Sequence, residues 1–236
     1  MFSKKTILLS TGLIFAQMMF AQQFLQGTFT FSGKKPSIVM LENGTKIEGE
    51  IDDLDRRKGL IEEVTIKDEK GKKHKLKPQE IKYMYLAPSG WDKFAKSYSF
   101  LNDATQWGKT DLDKDIIAKG FAYFEKTEVK LNKKTTEVLM MQLLNPSFSN
   151  KVKVYFDPRA KETMSFGIAG VKLAGGDAKS YYIKKGDAIA FKLEKKNYDE
   201  EFDGMYEDCA EIKTTYGKKM KWDELEKHLY EHSKCK

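Results

Sequence analysis

Apolar residues in this chain recur on two periods, and the change between them divides it. From Ile38 to Leu86 they form short runs separated by turn residues. Ile38-Val39-Met40-Leu41 is one such run, and Glu42-Asn43-Gly44-Thr45 follows it. An Asn-Gly pair between apolar runs predicts a hairpin on a type I′ turn, because both residues accept the positive φ that this turn needs. Further strands are predicted over 46–51, 60–66, 73–77 and 81–86. In the last of these, Ile81, Tyr83 and Tyr85 alternate against Lys82, Met84 and Leu86. Asp68-Glu69-Lys70-Gly71 supplies another turn, and Pro78, which has no N–H for a sheet ladder, closes the fourth strand. Five short strands joined by tight turns predict a small barrel or curled sheet over 22–90.

Residues 91–115 have no clean period. They are polar with scattered aromatics and read as a connector pinned onto the sheets by its rings. Trp91, Tyr98 and Trp107 are the candidates there for stacking on a sugar or apolar ligand. From Ile116 the β pattern returns and runs to about 195. Phe121 to Phe124, with Val129 and Leu131, makes one or two strands. Val138 to Leu144 is almost continuously apolar, which predicts a strand buried on both faces, with a short helix as the alternative. Val152, Val154 and Phe156 alternate with polar neighbours or Tyr155. Runs at 166–173 and 181–183 flank Gly175-Gly176-Asp177 as a hairpin, and Lys185-Gly186-Asp187 turns into a last strand over 188–193. This spacing predicts an antiparallel sandwich or barrel. The tail, 196–236, changes period. Tyr198, Phe202, Met205, Tyr206 and Cys209 fall on one helix face, and Trp222, Leu225 and Leu229 repeat the pattern. The fold class is therefore mainly β: a small N-terminal barrel-like unit, an antiparallel sandwich or barrel, and a short helical tail.

The first 21 residues carry address. Lys4 and Lys5 precede an apolar run from Ile7 to Phe20, and Met19-Phe20-Ala21 ends in a small residue. That is the layout of a secretory signal peptide, an uncleaved anchor being the alternative. The run is short for a membrane helix, which needs roughly 20 apolar residues. The mature chain is thus expected in the periplasm, outside the cell or on its surface. The formal charge is +7, two of it in the leader, and the remaining bases are interspersed with acids. Such mixing reads as a solvated surface, and few of the bases are arginine, so nucleic acid is not an expected partner. Lys70, Lys72, Lys73, Lys75 and Lys77 around His74 form the strongest basic stretch. It serves either to block edge pairing of a sheet or to touch an anionic surface such as lipid headgroups or acidic glycan.

Two cysteines, Cys209 and Cys235, lie in the tail. In an oxidising compartment an isolated pair predicts one disulfide. A simple antiparallel helix pair would put Cys235 near the start of the first helix, so the bridge needs the second helix to fold back at an angle, with Gly217 available for the turn. The alternative use of the same atoms is zinc on Cys209, Cys235, His228 and His232. His228 to His232 also spells an inverted zincin motif, His-x-x-Glu-His, but only four residues follow to supply a third ligand. The glycines between Gly167 and Gly176 precede no helix, so they do not read as a phosphate loop. A nucleophile elbow and an aspartic-protease signature are both missing, and among Asp52, Asp111, Asp115 and Glu201 nothing selects a carboxylate pair. No catalytic residue, cofactor or metal is expected.

Two resemblances add to this reading. Leu41 to Ile51, with Asn43-Gly44, and Leu76 to Ile81, with Pro78, resemble the small SH3-like or Sm-like barrels. That fold hosts adaptors and binders of many kinds, so it implies no activity. Val154-Tyr155-Phe156-Asp157-Pro158, Gly175-Gly176-Asp177 with Tyr181-Tyr182, and Asp208-Cys209 through His232 are similar to a group of uncharacterised exported proteins of Gram-negative bacteria. This resemblance implies a β-rich fold and an exported address. The expected function is that of a non-enzymatic envelope protein binding an unidentified protein or cell-surface partner. The alternatives are a binder of a small apolar or glycan ligand within the β unit, and a zinc-dependent hydrolase at the tail histidines.

Overall fold

A computed structural model describes residues 24–90, 112–160 and 180–236. The expected signal segment, the stacking candidates Trp91, Tyr98 and Trp107, and the strand and Gly175-Gly176-Asp177 hairpin expected over 166–177 lie outside the described residues. Ten strands are described: β1 (Ser37–Leu41), β2 (Lys46–Arg57), β3 (Leu60–Asp68), β4 (Lys73–Leu76), β5 (Ile81–Leu86), β6 (Ala122–Lys130), β7 (Thr136–Gln142), β8 (Val152–Phe156), β9 (Ser180–Lys185) and β10 (Ala190–Glu194). The helices are α1 (Lys114–Ala118), α2 (Tyr198–Met205), α3 (Ala210–Tyr216) and α4 (Leu225–His232), with 3-10 turns at Pro146–Phe148 and Trp222–Glu224. The molecule is mainly β, with short helices at its C-terminal end. Among the described residues no helix is long and apolar enough to cross a membrane.

All ten strands belong to one sheet, in the order β4-β3-β2-β1-β5-β6-β10-β9-β8, and β7 pairs with both β6 and β3. Strands β3, β2, β1, β5, β6 and β7 thus make a partial barrel, closed by one bridge between Ile61 and Met140. Its interior holds Val39, Ile47, Val64, Ile66, Ile81 and Met84. The chain beyond β7 crosses to the other half, where Leu144 N–H donates to the Val154 carbonyl at 2.8 Å and Leu143 bridges Tyr155. A second core lies there, built from β8, β9, β10 and the tail helices around Tyr155, Tyr182, Phe202 and Tyr206. The two β regions form one sheet, not separate ones. The join between β6 and β10 is parallel, Ala190 facing Val129, where an all-antiparallel unit was expected.

The type I′ turn expected at Asn43-Gly44 occurs elsewhere. Gly44 has φ +83° but Asn43 does not have positive φ. Gly44 N–H donates to the Leu41 carbonyl and Leu41 N–H to the Thr45 carbonyl, which is a three-residue loop ending in a left-handed glycine. Asn43 contributes through its side chain, whose Oδ1 accepts the Thr45 N–H at 3.0 Å. The turn with two positive φ values is Lys58-Gly59, at +52° and +85°, between the paired residues Arg57 and Leu60. Two other expectations also shift. Ile116 sits in α1, capped by Asp113, and not in a strand. The predicted first tail helix breaks after Met205 and restarts at Ala210. That break resolves the cysteine geometry. Cys209 stands just before α3 and Cys235 just after α4, so a helix pair running out and back brings them together as a disulfide with a Cα–Cα distance of 5.9 Å.

Candidate functional site

The outer face of the partial barrel carries a row of tyrosines. On β1, Ser37 and Val39 point inward, so Ile38 and Met40 face out. Strand register then sets Ile38 beside Tyr85 and Tyr85 beside Tyr123, and in the next row Met40 beside Tyr83 and Tyr83 beside Glu125. The ring centroids are 5.7 Å apart for Tyr83 and Tyr85, 5.1 Å for Tyr85 and Tyr123, and 5.9 Å for Tyr83 and Tyr123. The simple alternation expected along β5 does not hold. A bulge sets Met40 opposite Tyr83 but Leu41 opposite Ile81, leaving Lys82 as the extra residue. Ile81 therefore joins Met84 and Leu86 inside the barrel, and the two tyrosines are left on the outer face.

Helix α1 is fastened to this row. Asp113 N–H donates to the Tyr85 hydroxyl at 2.8 Å, and the Asp113 carboxylate accepts the Ile116 N–H at 3.0 Å, capping the helix. Between α1 and the strands lies a cleft of about 460 Å³ lined by Ile38, Met40, Tyr83, Tyr85, Leu112 and Ile116, with Lys46 and Asp113 also contributing. The volume falls within the range of small-ligand clefts. Next to it, Glu125 is held by Lys153 Nζ at 2.8 Å and by the Tyr155 hydroxyl at 2.6 Å. Burial pushes the Tyr85 phenol up to about 12, and it pushes Tyr123 and Tyr155, both beside Glu125, higher still. These phenols stay neutral at physiological pH. They offer ring faces and hydrogen bonds, not phenolate.

The tail histidines are placed differently. His228 and His232 on α4 are fully buried. The His228 Nδ1 and the Tyr198 hydroxyl are hydrogen-bonded at 2.7 Å, and Tyr198 and Tyr206 share a further bond at 3.1 Å. His232 Nε2 meets Asp208 at 2.8 Å, and Asp208 also holds Lys151 at 2.9 Å and Lys185 at 3.1 Å. Burial pulls both imidazoles below their ordinary value. Burial pushes the Asp208 carboxyl up, but Lys151, His232 and Lys185 together outweigh that and hold it well below the carboxylate range. The two histidines have separate partners, both sulfurs are in the disulfide, and Glu231 accepts the Tyr216 hydroxyl at 2.8 Å. Among the described residues no three His, Cys, Asp or Glu side chains are grouped to hold a metal ion. The network ties the tail to β8 and β9.

A third cluster surrounds buried Asp157, which accepts the Ser180 hydroxyl at 2.7 Å, the Arg159 N–H at 2.9 Å and the Lys192 ammonium at 2.9 Å. The serine donates to the carboxylate and the lysine neutralises it, so the cluster is a clamp between the end of β8 and the start of β9. The lysine stretch lies on and around β4, the strand that ends the sheet beside β3. There Lys73 pairs with Asp52 at 2.7 Å, Lys75 with Glu63 at 2.8 Å and His74 with Asp68 at 2.8 Å. Of the acids that sequence could not rank, Asp115 sits in the first turn of α1, Glu201 lies in α2 and Asp111 is outside the described residues. Tyr83, Tyr85 and Tyr123 were not singled out by sequence. Their signal was the density of tyrosine on two short strands, visible only once pairing puts 85 beside 123. The chain matches no family model, no curated protein and no solved structure.

Proposed function

We propose that this chain is an exported envelope protein that works as a binding module, without a catalytic step, and that the Tyr83–Tyr85 cleft is its ligand site. The observation that carries the reading is the cleft itself. Apolar walls and tyrosine rings meet a lysine and an aspartate in a volume fit for one small molecule. A neutral sugar ring suits it best, with an apolar face for the tyrosines and hydroxyls for Lys46 and Asp113. The neutral phenols and the internally paired histidines support binding over proton transfer. The Cys209–Cys235 disulfide supports an oxidising compartment, and hence export. Where Lys73 and Lys75 are already paired with acids on β2 and β3, the lysine stretch fits protection of a sheet edge better than contact with an anionic surface.

The test is calorimetric titration of the purified mature protein with a panel of neutral oligosaccharides, run beside Tyr83→Ala. Binding that weakens about tenfold or more in the variant is expected, the scale at which one aromatic contact accounts for roughly 1.4 kcal/mol. Affinity unchanged by Tyr83→Ala removes the cleft from the reading. Turnover of a substrate on an esterase, peptidase or glycosidase panel overturns the non-catalytic assignment.

A further inference from the structure

We infer that a small cavity between the end of β2 and the segment before β1 binds one monovalent anion of halide size. Its charged wall is Arg56. This guanidinium is half-buried, donates through Nη1 to the Phe29 carbonyl and sits 5.4 Å from the centre of the Phe31 ring. Its neighbour Arg57 holds two carboxylates, Glu62 and Glu137 at 2.7 Å. Among the described residues Arg56 holds none, so its charge is unpaired in a partly dehydrated place, where burial works against it.

Five buried side-chain polar atoms among the described residues have no hydrogen-bond partner, and two of them belong to residues lining this cavity. One is Arg56 Nε; the other is the hydroxyl of Thr28, a residue only 5% exposed. An Nε–H can only donate, and a threonine hydroxyl is free to donate, so a guest that accepts from both satisfies both. The remaining walls are largely apolar, with Leu60, Phe124, Phe156 and Pro158 among them. The frame is already fixed: Thr28 N–H donates to Gln142 Oε1 at 2.7 Å, and Gln142 Nε2 donates to the Gln26 carbonyl at 3.0 Å. The space is about 20 Å³, room for one water-sized body and too small for sulfate or phosphate. Water would meet the two hydrogen bonds and leave the charge unpaired. A halide meets the bonds and the charge together, which decides between them.

The experiment uses the full mature chain. Thermal midpoints are measured in sodium chloride, bromide and gluconate at matched ionic strength, and crystals are grown or soaked in bromide. A ligand that binds only the folded state raises the midpoint with the logarithm of its concentration once that exceeds the dissociation constant. The expected result is a rise of about 2–4 °C in chloride or bromide over gluconate. The rise should disappear in Thr28→Val and Arg56→Lys and survive in Thr28→Ser. Bromide should give an anomalous peak within hydrogen-bond reach of Arg56 Nε. A water there with no bromide peak overturns the proposal, as does a halide effect equal in wild type and Thr28→Val. The crystallographic arm reads the site in the wild type, so it holds even if a variant fails to fold. Failure here would leave the tyrosine cleft untouched, since the two sites share no lining residue.

Discussion

His228 and His232 make the stability of this protein depend on pH in a direction that can be worked out. Burial lowers both imidazoles below 6.5 in the folded chain. The unfolded chain therefore binds protons first as pH falls, and stability is complete above about 6.5 and drains away below it. Glu226 acts in the opposite sense. Burial raises its carboxyl to about 8, and one of its oxygens has no partner. Its contribution is present below the ordinary 4.5 and is lost as pH rises from there through about 8. Below about 6.5 the two effects oppose each other, and above it the Glu226 loss acts alone, so urea denaturation from pH 5 to 9 should show an alkaline limb that falls from about 6.5 to 8 and is level beyond it. Glu226→Gln should flatten the alkaline limb and gain about 1 kcal/mol at pH 8, the scale of relieving a strained buried polar group. A variant no more stable than wild type at pH 8 would show that Glu226 is solvated. None of this was legible from sequence. His228 and His232 were recognisable as i, i+4 neighbours on one helix face. Their separate partners, Tyr198 for one and Asp208 for the other, depend on where the tail helices dock.

At the scale of elements, two glycines that look alike in sequence carry different loads. Gly44 and Gly59 both have positive φ. A Cβ on Gly44 would meet nothing within 4 Å, whereas one on Gly59 would lie 2.6 Å from the Pro158 Cβ. Gly44→Ala should cost about 1 kcal/mol, the conformational penalty alone. Gly59→Ala adds a steric clash against a rigid ring and should cost roughly 2–4 kcal/mol. Equal losses in denaturant midpoints would mean that Pro158 yields freely. The comparison also shows what sequence pattern can and cannot do. All five strands between 37 and 86 were legible from apolar runs and breakers, and each begins within one residue of its predicted start. The turn type was not, because Lys58-Gly59 has no Asn-Gly signature and its positive φ at lysine is forced by the tight pairing of Arg57 with Leu60. The bulge at Lys82 escaped for the same reason. Parity along a strand is a local pattern, but a bulge is set by the neighbour across the ladder.

At the scale of the molecule, the two cores share their walls. Strands β5, β6 and β7 each give residues to both: Met84 and Tyr85, Phe124 and Tyr123, Met140 and Met141. Neighbouring side chains on one strand point to opposite faces, so any loss of order in these strands opens both cores at once. The tail adds to the coupling. Asp208 reaches Lys151 and Lys185 around β8 and β9, and the disulfide closes the tail helices across 26 residues. Sequence organised the chain into an early and a late β unit, and the parallel pairing of β6 with β10 is what its local patterns could not contain. The physical consequence is cooperativity. Phe124→Ala, which empties space in the partial barrel, should cost about 3–5 kcal/mol. That cost should appear equally in amide exchange of β1 and β2 and in amide exchange of β8 and β9, because global opening sets both. If the barrel strands lose protection while β8 and β9 keep theirs, the shared strands do not transmit the loss. The continuous sheet would then be two folding units joined by hydrogen bonds alone.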